Sequence, residues 1–250
     1  MYVTYSIFRS RCAACSEEEL DDAKLQQLWD ATVRENVFVI CKTKMAKQIT
    51  RRTLAGYRKI PVNTHYFDDL INMMKNKPRQ FVDRVLKPSY WKQEGVKTMK
   101  FDAVVGNPPY QSMTNGGSDS GRAARQAAPI FNYFVEQAKM LEPGYVSMII
   151  PARWYNGGIG LNTFRADMLN DKHLTKLVDF ANSKDCFTTV DIGGGLCYFL
   201  WERDHEDECL VINMNSGEQD ALRRSLNQYG NLFIRSNKAI SIIEKIRGSG

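Results

Sequence analysis

Residues 101–110 read Phe-Asp-Ala-Val-Val-Gly-Asn-Pro-Pro-Tyr, and they decide the fold. The two consecutive valines are β-branched, which predicts a short buried strand that ends at Gly106. The two prolines that follow cannot donate a backbone hydrogen bond, so the chain must leave the strand as a stiff loop. In open parallel α/β sheets, ligands bind beyond the carboxyl ends of the strands. The loop is therefore a candidate site.

Strand and helix patterns alternate after this stretch. Further strands are predicted at 145–150, 174–180, 195–201 and 209–213, and helices at 123–141, 162–169 and 236–246. The alternation indicates a parallel sheet that helices cover. Charged residues separate the last two strands, which predicts a hairpin at one edge. The Gly- and Ser-rich stretch 115–121 is predicted to be a mobile loop.

In the first hundred residues, helix patterns dominate and do not alternate with strand patterns. This difference predicts a mainly helical region at 1–98 and a second region at 99–250. Helices are expected at 16–34, 37–54, 67–75 and 78–85, the second of them ending at Gly56. The fold class is therefore α/β with a helical N-terminal region.

The predicted helix at 37–54 has a basic face, formed by Lys42, Lys44, Lys47, Arg51 and Arg52. Such a face can contact nucleic-acid phosphates, but a solvated helix surface is the commoner meaning of a basic run, and both readings stay open. The whole chain has 34 Lys and Arg against 28 Asp and Glu. This mild excess permits a polyanionic partner without requiring one.

Composition also indicates where in the cell the protein is expected and whether it is expected to bind a metal. No apolar run approaches the roughly 18 residues that span a bilayer, so we expect a soluble, cytoplasmic protein without a membrane partner. The six cysteines are expected to be reduced thiols. Cys12 and Cys15 have zinc-ligand or redox spacing, but no second pair and no nearby histidine completes a site. No metal is predicted.

The tetrapeptide Asn107-Pro-Pro-Tyr110 resembles the signature of amino-group methyltransferases that use S-adenosylmethionine. Their acceptor nitrogen is a poor nucleophile because its lone pair is delocalised. The Asn107 side-chain oxygen and the Pro108 carbonyl can each accept a hydrogen bond from that NH₂ group. Two rigidly held acceptors would favour a lone pair directed at the methyl donor. Tyr110 offers an aromatic face for a base removed from its stack.

The same tetrapeptide occurs in families that methylate guanine amino groups in RNA or glutamine in protein, so the downstream residues must discriminate. Over residues 99 to about 213 the chain resembles the adenine-N6 DNA methyltransferases of bacterial restriction-modification systems. It is most similar to the gamma-ordered methylase domains of large single-chain type II enzymes. The ordered segments that carry the resemblance are 101–111, 129–138, 148–154, Phe164-Arg165, 177–180, 185–187 and 193–201.

The resemblance implies a class I S-adenosylmethionine-dependent, Rossmann-like sheet, with 99–250 as the catalytic half of the methylase domain. It implies site-specific methylation of a flipped adenine in double-stranded DNA, with Asn107, Pro108, Pro109 and Tyr110 as catalytic residues. Phe187 lies at the position of an aromatic residue that stacks on the other face of the base. The alternative is that Phe187 belongs to the core.

Arg153 and Trp154 follow the predicted strand end at Pro151 and so lie at the same edge of the sheet. They are candidate DNA contacts, with plain surface-loop residues as the alternative. Gly193 to Gly195 precede an apolar strand rather than a helix, which predicts a turn or bulge and not a phosphate loop.

The sequence departs from the family in its expected cofactor loop. A glycine-rich loop should precede residue 101, yet residues 1–100 contain only Gly56 and Gly95, so the cofactor-binding residues stay unassigned. The downstream target-recognition domain is not visible either. The resemblance is therefore to part of the enzyme, and two explanations stay open. Either the chain is a fragment that carries the catalytic half, or the missing elements are supplied by its helical first hundred residues or by a partner chain. Two alternatives stay open, an RNA guanine-N2 or protein glutamine methyltransferase and a catalytically silent DNA-binding or assembly module.

Overall fold

A computed structural model describes residues 2–16, 20–111, 128–158, 160–189, 191–230 and 232–248. The chain divides into two compact units, unit 1 at residues 1–99 and unit 2 at residues 100–250. The glycine- and serine-rich stretch 115–121 lies outside the described residues. Within the described ranges, no helix is both long and apolar enough to cross a membrane.

Unit 1 combines five helices with a small parallel sheet among its described residues. Its elements are α1 (Tyr2–Ala13), α2 (Asp22–Asn36), β1 (Phe38–Cys41), α3 (Lys44–Ala55), β2 (Asn63–Tyr66), α4 (Leu70–Asn76) and α5 (Pro78–Val85). β1 and β2 pair in parallel, with Phe38 opposite Asn63 and Cys41 opposite Tyr66. Because α3 connects them, this part of unit 1 is a βαβ segment.

The predicted helix at 37–54 is therefore partly wrong. Its first residues form β1, since the run Phe38-Val-Ile-Cys41 is short, apolar and partly β-branched. Thr43 then caps a new helix by accepting a hydrogen bond from the Ala46 N–H at 3.0 Å. The predicted stop is confirmed, because Gly56 ends α3 in the left-handed conformation with φ 56°.

Unit 2 contains a six-stranded sheet and three helices in its described residues. The strands are β3 (Ala103–Gly106), β4 (Tyr145–Pro151), β5 (Leu174–Phe180), β6 (Leu196–Glu202), β7 (Cys209–Asn215) and β8 (Glu218–Arg224). The helices are α6 (Phe131–Met140), α7 (Asn162–Asn170) and α8 (Asn237–Gly248). Short 3₁₀ turns follow β4 at Ala152–Asn156 and β5 at Ser183–Asp185.

The sheet order is β3-β4-β6-β5-β7-β8. β3 and β4 are parallel, as are β5 and β7, whereas β6 runs antiparallel to both β4 and β5. The predicted α/β fold is confirmed. The predicted hairpin between 195–201 and 209–213 is wrong, because β6 is inserted between β4 and β5 and β7 pairs with β5. The edge hairpin is β7–β8 instead.

One face of this sheet carries the main core of unit 2. Phe131 and Val135 of α6, and Phe164 and Met168 of α7, are almost fully buried in it. Apolar side chains that alternate along β4 and β6 complete this core, as the two-residue period of a strand requires. The packing fixes the strand ends, and with them the loops that carry the predicted site.

Candidate active site

Three predicted site segments meet at one edge of the sheet in unit 2. Asn107 to Tyr110 follow the carboxyl end of β3, and Arg153 follows the carboxyl end of the parallel β4. Phe187 lies in the connection between β5 and β6, whose paired residues Phe180 and Leu196 are at the same edge, with Leu196 also opposite Pro151. The topology therefore brings residues far apart in the sequence to neighbouring strand ends.

The tetrapeptide is anchored in the protein but presents its first side chain to solvent. Asn107 is exposed, Pro108 is buried, and Pro109 and Tyr110 are half-buried. The Ile130 N–H donates to the Tyr110 carbonyl at 3.3 Å, and Gln111 forms an isolated antiparallel bridge with Pro129. Within the described part of the chain, the Asn107 amide makes no hydrogen bond. Its polar atoms are thus available to a substrate.

Tyr110 lies near the loop that carries Phe187. Burial raises the pKa of the Tyr110 hydroxyl, and the Cys186 and Cys197 thiols raise it further. Cys186 is the neighbour of Phe187 in the chain, so Tyr110 lies near this loop. Phe187 itself is half-buried and packs against the small cluster of Val178, Phe180 and Leu196. Stacking of a base by Tyr110 and Phe187 stays a prediction.

Arg153 and Trp154 differ sharply despite being neighbours. Trp154 is 0 % exposed and its indole N–H donates to Cys197 Sγ at 3.4 Å. The predicted DNA contact is therefore wrong for Trp154, because the 3₁₀ turn after β4 returns this ring to the core. Arg153 is half-buried with its guanidinium 5.8 Å from the Phe131 ring centroid. Its Nε and Nη2 are buried and have no partner among the described residues.

An ion pair that the sequence did not reveal supports the same edge. Arg235 donates to both carboxylate oxygens of the buried Asp179 and also to the carbonyls of Phe180 and Gly194. The only local signal was a charged residue near the end of an apolar strand, and its partner is 56 residues away. The pair ties the segment before α8 to the ends of β5 and β6.

The glycine turn before β6 is confirmed as a turn. Gly193 and Gly194 form it, and Gly195 follows with φ +80°. A Cβ on Gly195 would lie 2.1 Å from the Phe180 carbonyl oxygen. Glycine is required here because two backbone segments approach each other closely. The Gly195 carbonyl also accepts from the Ala152 N–H at 3.1 Å, which links this turn to the end of β4.

The cysteines were examined for pairing and, with the other ligand side chains, for metal binding. All six cysteines are free, as expected, and Cys41, Cys197 and Cys209 are buried. No group of three or more His, Cys, Asp or Glu side chains in the described ranges could hold a metal ion.

Comparison with known proteins assigns the family. The model of the Eco57I restriction-modification methylase family matches residues 35–187, which is more than half of the chain. The chain belongs to this family. The match begins just before β1 and ends at Phe187, so it includes the βαβ segment of unit 1 as well as the tetrapeptide. The predicted resemblance to a restriction-modification methylase is confirmed.

Two curated relatives match shorter stretches. An uncharacterized adenine-specific methylase from Mycoplasma pneumoniae is 39% identical over 135 residues, covering 51% of this chain and 31% of that protein. A protein named for a type II restriction enzyme and methyltransferase from Methanocaldococcus jannaschii is 30% identical over 112 residues, covering 42% of this chain and 9% of its own length. The matched stretches thus span about a third or less of these relatives.

A solved structure is also similar in part. The methyltransferase subunit of a type I restriction-modification system from Streptococcus thermophilus matches with a TM-score of 0.43 and 14% identity. The match covers 86% of this chain and 42% of that subunit. Likeness at this level does not extend to function, so the family assignment depends on the sequence matches.

Methylases of this family imply S-adenosylmethionine as the methyl donor, but unit 1 does not contain the glycine-rich loop expected for it. Gly56 ends a helix rather than beginning one, and a Cβ on Gly95 would meet nothing within 4 Å. The turn from β1 into α3 is Lys42-Thr43, with no glycine. These residues do not form the close backbone approach that a cofactor loop requires. Residues can therefore be named for the predicted acceptor side of the site, whereas those of the donor side stay unassigned.

Proposed function

We propose that this chain is the catalytic portion of a site-specific DNA adenine-N6 methyltransferase of a restriction-modification system. The observation that supports this most strongly is the exposed Asn107 on a buried proline at the carboxyl end of β3. Family membership supports the methylase assignment. The choice of adenine in duplex DNA is supported by the downstream segments that resemble adenine-N6 enzymes. In this proposal, unit 2 is the catalytic half of the domain.

The chemical role of the tetrapeptide follows from its hydrogen-bonding groups. An exocyclic amine of adenine is planar, with its lone pair delocalised into the ring. When the amine donates to the Asn107 Oδ1 and to the Pro108 carbonyl, two acceptors draw its N–H bonds out of the ring plane. The lone pair then points away from the ring, ready to attack a methyl group. The stiff prolines hold the acceptors before the substrate arrives, which lowers the barrier.

The adenine itself must leave the helical stack to reach this site. Tyr110 and Phe187 are both half-buried at the same edge, and each has an aromatic face to offer. We assign them to opposite faces of the extruded base. Stacking of a base on an aromatic side chain contributes about 1–3 kcal/mol. S-adenosylmethionine is the methyl donor that the family implies, and we derive no step on the donor side.

The acceptor can be identified without knowledge of the recognition sequence. The chain is expressed in a bacterial host that lacks its own adenine methylation, and DNA, RNA and protein are digested separately for mass spectrometry. We expect N6-methyladenine in the DNA. N2-methylguanine in RNA or methylglutamine in protein would contradict the proposal, and no new methylated residue in any of the three would favour the catalytically silent function below.

A second function is favoured by one observation, that neither Gly56 nor Gly95 forms the close backbone approach of a cofactor loop. A chain without a donor loop could bind DNA or assemble with a partner while remaining catalytically silent. Calorimetric titration of the purified chain with S-adenosylmethionine separates the two functions. Saturable binding supports the methyltransferase, and an absence of heat together with retained DNA binding supports the silent module.

A further inference from the structure

The positive charge of the protein is concentrated in one segment of unit 1. Residues 36–67 contain seven Lys and Arg and no Asp or Glu. The rest of the chain then has 27 cations and 28 anions, because the totals are 34 and 28. The entire net charge of +6 therefore originates in these 32 residues. A general excess of lysine would instead have been spread along the chain.

Helix α3 carries four of the seven cations on neighbouring faces. Lys44, Lys47 and Arg51 are spaced three and four residues apart, so they share one side of the helix, and Arg52 lies beside them. The stripe from Lys44 to Arg51 is about 10 Å long. Duplex DNA presents roughly six phosphates over that length of its axis. We name these four residues the α3 basic surface.

The cations of this surface have no counter-charges within the part of the chain that the structure describes. In the segment 36–67, Arg58 pairs with Asp30, whereas the α3 basic surface has no ion-pair partner among the described residues. Lys44, Arg51 and Arg52 are exposed. The first turn of α3 also contains no acidic residue. Lys44 and Lys47 lie in this first turn, where cations oppose the helix dipole, so their placement does not serve the stability of the helix.

Two of the lysines converge on an aromatic ring. The Lys44 and Lys47 ammonium groups each lie 5.6 Å from the centroid of Tyr66, at the carboxyl end of β2. The ring holds two like charges near one point. Burial lowers the pKa of the neighbouring His65 imidazole, and the charge of Lys47 lowers it further.

We propose that the α3 basic surface binds the phosphate backbone of duplex DNA. The choice of DNA as the polyanion rests on the proposed function, whereas the evidence that this surface binds a polyanion is the set of cations described above. Phosphate contacts of this kind are independent of base sequence, so the surface supplies affinity and orientation and leaves specificity to other residues. Met45 and Ile49 are 73 % and 58 % exposed on the adjoining side of α3. They make a membrane or protein partner the competing explanation.

The test measures the salt dependence of DNA binding by fluorescence anisotropy with the full chain and a mixed-sequence duplex. The variant is Lys44→Glu/Arg51→Glu/Arg52→Glu. Its matched control is Lys75→Glu/Lys77→Glu/Arg79→Glu, which makes the same change in net charge at exposed sites of the same unit. Circular dichroism confirms that both fold.

We expect the slope of log K against log salt to fall in magnitude by about three in the α3 variant and by less than about one in the control. Met45→Gln/Ile49→Gln should leave the slope unchanged. Equal slopes for the two charge variants would overturn the proposal, as would no DNA binding by the wild type. Tighter α3-dependent binding to single-stranded RNA or to anionic lipid vesicles would also overturn it.

Failure of this proposal is distinguishable from failure of the proposed function. The proposed function is measured by methylation, whereas the surface is measured by the salt slope of the α3 variant against that of its control. If the wild type binds DNA through α3 but methylates nothing, the proposed function fails and the surface stands. If it methylates DNA and the two charge variants bind alike, the surface fails alone.

Discussion

Arg235 donates to Asp179 through Nε and Nη2, with both donor-to-oxygen distances at 2.8 Å. Such a bidentate pair has a fixed geometry that a single hydrogen bond lacks. The Asp179 side chain is only 4% exposed, so the carboxylate depends on this partner. The pair holds the ends of β5 and β6, between which the Phe187 loop runs.

Replacement of Asp179 by Ala should lower the free energy of unfolding by about 2–4 kcal/mol, because Arg235 would be left partly buried without its partner. Urea denaturation measures the change. The matched control is Asp191→Ala, which removes an exposed pair with Lys184 at 3.8 Å and should cost less than about 1 kcal/mol. Similar losses in the two variants would show that the Asp179 pair has no special role.

Gly195→Ala should destabilise unit 2 more than Gly194→Ala does. Both glycines have positive φ, +80° and +87°, so both variants carry a backbone strain of about 1 kcal/mol. Only at Gly195 would the new Cβ also collide with the Phe180 carbonyl, at 2.1 Å, whereas nothing lies within 4 Å at Gly194. Thermal unfolding of the two variants compares them. A lower melting temperature for Gly194→Ala would refute this account of the turn.

Two buried thiols should make the protein less stable at high pH. Burial raises the pKa of Cys197 and of Cys209 to about 12. An unfolded chain ionises these thiols near pH 8.5, so it loses protons first, and stability falls as the pH rises from about 9 toward 12.

Each thiol contributes a slope of up to about 1.4 kcal/mol per pH unit in that range. Urea unfolding at several pH values should show this loss, and Cys209→Ser should make it shallower because serine does not ionise. An unchanged slope in that variant would mean that the Cys209 thiol ionises alike in both states.

Arg153 and Trp154 should respond to mutation in opposite ways. Trp154→Ala should cost about 3–5 kcal/mol of stability, because it empties a core site. Arg153→Met should keep or raise stability, since it removes two buried donors without partners, but it should weaken DNA binding about tenfold if a phosphate satisfies those donors. Denaturation and anisotropy on both variants are the measurements. Unaltered DNA affinity in Arg153→Met would remove Arg153 from the proposed interface.

The sequence predicted those elements whose signals are local. Strand β5 was expected at 174–180 and occupies Leu174–Phe180, because its apolar run is bounded by clear loop residues. β8 was missed because its residues, Glu218–Arg224, are mostly charged or polar and exposed at the sheet edge. β1 was merged into a helix, since four residues are too few for a period to appear.

Predictions that needed pairing or distant partners failed or were not made. The local pattern of β6 is the same whether it forms an edge hairpin or lies between β4 and β5, so the sequence could not place it. Trp154 follows a strand end, as predicted, but the 3₁₀ turn that buries it depends on packing against Cys197. Asn107 to Tyr110 could be placed at the end of β3 because proline chemistry and strand position are both local, and their catalytic role stays a prediction.

The measurement that tests the central claim most directly is the N6-methyladenine content of host DNA after expression of the wild type and of Asn107→Ala at matched protein levels. If Asn107 and Pro108 orient the acceptor amine, the loss of one acceptor should reduce methylation by about 100-fold or more, while DNA affinity stays within about twofold. Equal methylation by the two proteins would contradict the account.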